Sequence, residues 1–238
     1  MKREQAREKI IFALDVETMA AAERWVKLLA GRVGMFKVGK QLFTACGPDV
    51  VRMIRERGGE VFLDLKYHDI PNTVAMATVE AARLGAKLCN LHALGGLEMM
   101  ATTAATLKKE CGEKRPRVLA VTILTSSTEE TLREVGIDRP VPEMVLRLAW
   151  LAKRAGIDGV VASPLETPMI REACGPDFLI VTPGVRPASS SANDQKRIMT
   201  PAEAVRAGAD YLVIGRPIAA APDPVAAVEA IVDEIAAS

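Results

Sequence analysis

The stretch AGADYLVIG, Ala207–Gly215, decides the reading of the fold, because the chain carries two near-copies of it: LGAKLCNLH, Leu84–His92, and AGIDGVVAS, Ala155–Ser163. Each couples a helix stopped by Gly to a short apolar run that starts a few residues later. Gly ends helices because it enters the left-handed conformation at no steric cost. Runs rich in Val, Ile and Leu without strict alternation suit parallel strands covered by helices. The same rhythm extends in both directions. It predicts strands at Ile10–Asp15, Met35–Gly39, Val61–Lys66, Lys87–His92, Val118–Leu124, Gly159–Ala162, Phe178–Thr182 and Tyr211–Ile214. Helix stops are expected at Gly59, Gly85, Gly156, Gly175 and Gly208. Thr18 caps a helix ending near Gly31, and Asp223-Pro224 opens the last one. Ser163-Pro164-Leu165-Glu166 and Thr200-Pro201-Ala202-Glu203 read as capping boxes with Pro at the first helical position.

These units predict an α/β protein, a closed (β/α)8 TIM barrel forming one domain over residues 1–238. A dinucleotide-binding sheet would need a Gly-rich turn after the first strand, where this chain has ALDVET. The composition, 49% hydrophobic and 26% charged, is that of a globular domain. A net charge of +1 leaves no electrostatic footprint for nucleic acid or an anionic membrane. No apolar run approaches the ~18 residues that span a bilayer. The charged segment Met1 to Lys9, read as running straight into the first strand, has no secretory character, so a cytoplasmic location is expected. Cys46, Cys89, Cys111 and Cys174 are scattered, which predicts buried or incidental thiols, not a disulfide framework or a zinc site.

Charge appears where a barrel strand does not need it. In VFLDLK, alternation places Phe62, Asp64 and Lys66 on one face and Val61, Leu63 and Leu65 on the other. The apolar face suits the covering helices, so a carboxylate and an ammonium enter the barrel, which is costly unless they pair. Asp69 follows in the loop, where it can join the array. Lys37 lies inside the second run and Asp15 terminates the first. All these positions fall at the C-terminal ends of strands, the face on which barrel enzymes build their sites. A second constellation is VIGRPI, where Gly215 ends a strand and Arg216 begins a short helix, a geometry suited to phosphate. Arg186 and Gln195 can converge on the same group from the long polar stretch Arg186–Arg197, RPASSSANDQKR, which has the length of a lid. His68 and His92, without a third ligand, make a poor metal site, and His92 reads as a rim residue. Trp25 and Trp150 read as packing or interface residues.

The segments FALD (Phe12–Asp15), FKVG (Phe36–Gly39), DLKYHDIPNT (Asp64–Thr73), VTILTS (Val121–Ser126), TPGVRP (Thr182–Pro187), DQKR (Asp194–Arg197) and VIGRPI (Val213–Ile218) resemble, in order and across nearly the whole chain, the orotidine 5'-monophosphate decarboxylase family in its bacterial form. The resemblance implies conversion of orotidine 5'-monophosphate to UMP and CO2, with no cofactor and no metal. It implies Lys66 as proton donor and Asp64 facing the substrate carboxylate, with Lys37 and Asp69 completing an alternating chain of charges. It further implies a homodimer in which Asp69 and Thr73 serve the partner's site. Asp15 and Lys37 would hold ribose hydroxyls, Thr125 and Ser126 would lie by the pyrimidine, and Arg186, Gln195, Gly215 and Arg216 would bind phosphate. Sister enzymes with the same Asp-x-Lys-x-x-Asp core act on keto-sugar phosphates with Mg2+ and carry Glu where this chain has Lys37, which argues against them. A phosphosugar isomerase or epimerase on the same barrel would explain the phosphate site but not the paired Lys–Asp array. A non-catalytic phosphonucleotide-binding barrel is a further alternative, disfavoured because a sensor has no need to bury such charges.

Overall fold

The computed structural model describes residues 1–187 and 199–238. Eight strands, β1 (Ile10–Ala13), β2 (Met35–Gly39), β3 (Val61–Tyr67), β4 (Leu88–His92), β5 (Arg117–Val121), β6 (Gly159–Val161), β7 (Leu179–Pro183) and β8 (Tyr211–Ile214), pair in chain order as a closed barrel. All pairings are parallel, and β1 closes on β8. The (β/α)8 architecture expected from the sequence is the one observed.

Two apolar clusters follow from strand alternation. Ile11, Met35, Phe62, Leu88, Leu119 and Val181 fill the barrel interior. The residues between them, such as Phe12, Phe36, Leu63, Cys89 and Ile180, face outward into the larger layer under the helices. Burying both faces removes most of the apolar surface from water, the dominant favourable contribution to folding.

The three near-copied junctions share one geometry. Gly85, Gly156 and Gly208 have φ of 80°, 77° and 107°, closing their helices in the left-handed region. In two copies an Asp then pins the neighbouring strand. Asp158 accepts from the Val118 amide at 2.8 Å and from a two-pronged Arg115 guanidinium at 2.6 and 2.7 Å. Asp210 accepts from the Ile180 amide at 2.8 Å and from Arg171 at 2.7 Å. These paired, hydrogen-bonded carboxylates at the N-terminal end of the barrel belong to its stability.

Several local expectations change. Met1 to Lys9 contains a helix, Arg3–Glu8, ahead of β1, which the sequence reading did not assign. That helix buries Ala6 and ion-pairs Arg3 with Glu229 of the last helix, Pro224–Ala236. With Ala6 its only apolar residue, it offers no periodic stripe to read. Gly58, at φ 77°, is the helix stop predicted at Gly59. At Gly59 space is the constraint, because a Cβ there would lie 2.7 Å from Ile54 Cγ2. β1 ends at Ala13 and β5 at Val121, short of Asp15 and Leu124. The caps at Thr18, Ser163, Thr200 and Asp223 form as expected, although Ser163 opens a 3-10 turn. Cys89 and Cys174 are buried and all four thiols are free. Among the described residues, no helix is long and apolar enough to cross a membrane.

Candidate active site

At the C-terminal ends of β1 to β3 the inward positions change from apolar to charged. Lys37 stands two residues beyond Met35, and Asp64 two beyond Phe62, so each continues the interior face of its strand. Lys37 Nζ lies 3.0 Å from Asp15 Oδ1 and 3.6 Å from Asp64 Oδ2. Lys66 Nζ donates to Asp64 Oδ1 at 2.5 Å. The Asp64 side chain is 11% exposed, Lys37 12% and Lys66 25%, so the array is largely withdrawn from water and its mutual pairing matters.

Lys66 does not reach Asp64 by simple alternation. Its φ is 52°, the one positive value outside glycine among the described residues. The β3–β4 ladder shifts register between Leu63 and Tyr67, four residues of β3 standing against two of β4, so the strand bulges within this stretch. Leu65 still packs outward, while the left-handed residue redirects the Lys66 side chain back toward Asp64. Such conformations cost of order 1–3 kcal/mol and concentrate at functional sites.

The array divides two cavities. One, of about 200 Å³, is lined mainly by apolar groups including Phe62, Val121, Ile123, Val161 and Val213, with Thr125 and Ser126 at its edge. The other, of about 170 Å³, is the more polar of the two, lined by Asp15, Lys40 and Gln41 together with Leu14 and Leu42. Lys37, Asp64 and Lys66 border both. A flat ring fits the first environment and a polyhydroxy group the second.

The remaining predicted residues fall as follows. Gly215 caps the helix Arg216–Ala219, and a Cβ on it would lie 3.1 Å from the Ala13 Cβ, so a side chain there would crowd the rim. Arg216 is exposed at the first position of that helix. Arg186 is 8% exposed, and its amide donates to the Met199 carbonyl at 3.0 Å. Gln195 lies outside the described residues, as does most of the stretch read as a lid. Asp69 and Thr73 are exposed. The Asp69 carboxylate accepts from the Ile70 amide at 2.6 Å, and among the described residues it has no ion pair.

One polar residue of the site was not anticipated. Asn90 of β4 is 1% exposed and bonds both Asp64 and the Lys66 amide. Its signal was present in LCNLH, an amide at an inward position of an otherwise apolar run. His68 and His92 lie beside one another with ring centroids 5.7 Å apart and planes tilted by 36°. Burial, and secondarily the neighbouring His68, holds His92 below its ordinary pKa. Trp25 packs against Phe12 at 5.1 Å, whereas Trp150 is 50% exposed.

Residues 8–231 match the family described as orotidine 5'-phosphate decarboxylase / HUMPS. The chain belongs to this family. Orotidine 5'-phosphate decarboxylases of Geotalea daltonii and Geobacter sulfurreducens are each 74% identical over 238 residues, covering all of both chains. The crystal structure of orotidine 5'-phosphate decarboxylase from Lactobacillus acidophilus superposes with a TM-score of 0.85 at 41% identity, covering 95% of this chain and 98% of that one.

Proposed function

We propose that this chain, acting as one barrel domain over residues 1–238, decarboxylates orotidine 5'-monophosphate to UMP and CO2, the last step of de novo UMP synthesis. The observation that carries the reading is the Lys37–Asp64–Lys66 array between an apolar and a more polar cavity, in a chain 74% identical to relatives bearing that name. The family description also covers the keto-sugar-phosphate branch, and the names of these relatives separate the two.

Breaking the C6–carboxylate bond leaves its electron pair on C6, where the pyrimidine ring delocalises it poorly. Stabilisation must come from charge already in place. Lys66 supplies the cation beside C6 and then gives its Nζ proton to that carbon, so UMP forms and Lys66 recovers a proton from solvent. Asp64 holds the Lys66 ammonium in position through Oδ1. Thr125 and Ser126 lie by the ring, and Asp15 and Lys37 take ribose hydroxyls. Arg186, Gln195, Gly215 and Arg216 bind the phosphate, whose binding energy is available for orienting the distant reacting carbon. The Lys37 ammonium stands between the Asp15 and Asp64 carboxylates, where a divalent cation would otherwise find its oxygen ligands. No step needs a metal or an organic cofactor.

Asp69 and Thr73 act in the site of a second copy, making the working unit a homodimer. The exposed surface beside Asp69 supports this. Ile70 is 67% exposed, Leu94 44% and Leu97 37%, and the two turns meet where a Cβ on Gly95 would come within 3.4 Å of His68. Such an apolar patch beside a charged loop suits burial against a twin. The setting is cytoplasmic.

The test of the reaction is loss of orotidylate absorbance by purified protein with EDTA present. Conversion to UMP under chelation is expected. Turnover that appears only with added Mg2+, or only on keto-sugar phosphates, would overturn the reading. Arg216→Ala is expected to raise KM for the nucleotide by on the order of 10²-fold, the loss of one strong charged contact of roughly 2–3 kcal/mol. The same variant should leave a phosphate-free nucleoside almost unaffected. Equal losses on the two substrates would remove Arg216 from the phosphate site.

A further inference from the structure

β4 begins as the other strands do, with Leu88 filling the barrel interior and Cys89 and Leu91 packed outward. The next inward position, Asn90, places a primary amide in a buried setting where every unmade hydrogen bond is costly. Its two ends are used differently. Nδ2 donates to Asp64 Oδ1 at 2.7 Å, and Oδ1 accepts from the backbone amide of Lys66 at 2.8 Å. The orientation of the amide is unambiguous, because a main-chain N–H only donates and an ionised carboxylate only accepts.

Both partners belong to the reacting array, and each presents a problem that Asn90 solves. Lys66 is in the left-handed region, at a place where the β3–β4 ladder loses its regular pairing. The Asn90 carbonyl replaces the missing ladder acceptor and holds that bulge. Asp64 has two oxygens that rotation of the carboxylate would exchange. With Oδ1 committed to Lys66 Nζ and Asn90 Nδ2, Oδ2 is left facing Lys37 at 3.6 Å. One side chain thereby sets the direction of the carboxylate and the backbone of the proton donor together.

We infer that Asn90 is a positioning residue for decarboxylation, clamping Asp64 and the Lys66 backbone in their reactive arrangement. This rests on the function proposed above. Asn90 has no hydrogen bond to Asp15, Arg186 or Arg216 among the described residues, so its loss should spare binding and impair the chemical step.

The test compares wild type with Asn90→Leu, of similar size and without polar atoms, and Asn90→Asp, of the same shape with a carboxylate facing Asp64. Steady-state kinetics on orotidine 5'-monophosphate would be set beside calorimetric binding of UMP. In both variants kcat should fall by about 10²-fold, the scale of a displacement near 1 Å in a reacting array. KM and UMP affinity should stay close to wild type. Wild-type kcat in either folded variant would overturn the inference, as would kcat and UMP affinity falling together, the mark of general disruption. If Asn90→Leu does not fold, the isosteric Asn90→Asp decides by the same criteria. A wild-type protein that fails to turn over the nucleotide fails the proposed function itself, and the inference with it.

Discussion

Lys66→Ala is expected to lower kcat by on the order of 10⁴-fold or more while the barrel remains folded. Lys66 has two roles, and both end with its ammonium. General-acid catalysis is worth roughly 10²–10⁴. A charge preorganised against a developing anion contributes roughly a further 10²–10³. The fold should tolerate the change because the carboxylate left behind is not orphaned. Asp64 keeps the Asn90 amide at 2.7 Å and the Lys37 ammonium at 3.6 Å. Ala also inherits the same left-handed backbone, so strain at φ 52° is unchanged in kind. Single-turnover kinetics with a thermal melt would check both parts. A kcat within about tenfold of wild type, less than general-acid catalysis alone typically contributes, would remove Lys66 from the chemistry.

The second large effect is a recovery of activity. Asp69→Ala is expected to be nearly inactive by itself, like Lys66→Ala. Mixing the two and allowing subunits to exchange should restore about a quarter of wild-type activity, because half the dimers are then hybrid and each hybrid has one intact site. In that site Lys66 comes from the chain lacking Asp69, and Asp69 from the chain lacking Lys66. The exposure of Asp69 motivates the experiment, as does its single partner among the described residues, the Ile70 amide. If hybrids are demonstrated by native mass spectrometry and the mixture stays inactive, Asp69 does not serve the partner, and the assignment of a shared site falls.

Much of the site was legible because charges in an apolar strand are anomalous in themselves. Lys37 and Asp64 interrupt runs that are otherwise built for burial, and alternation places Asp64 inside the barrel. Strict alternation also puts Lys66 on that face, although the backbone does not alternate there. Between Leu63 and Tyr67 the strand bulges, and a left-handed residue, which no propensity rule expects of Lys, carries out the turn. Asn90 was overlooked because a single amide in a strand carries no pattern, and its importance arises from Asp64, 26 residues away. β5 was drawn too long because Ile123 and Leu124 are apolar for different reasons. Ile123 is buried in the outer core as well as bordering a cavity, whereas Leu124 is 44% exposed at the cavity wall, and hydrophobicity does not tell a core from a pocket wall.

The sequence by itself determined the alternation of strands and helices, the closed barrel it implies, the rim on which the charges gather and the family to which they belong. Periodicity and glycine stops are local, and local energetics suffices to read them. Only the tertiary structure decided which carboxylate oxygen faces which ammonium and that Asn90 ties two strands beside Asp64 and Lys66. Those outcomes depend on register and on a bulge between neighbouring strands, where pairing across the barrel overrides what each residue prefers alone.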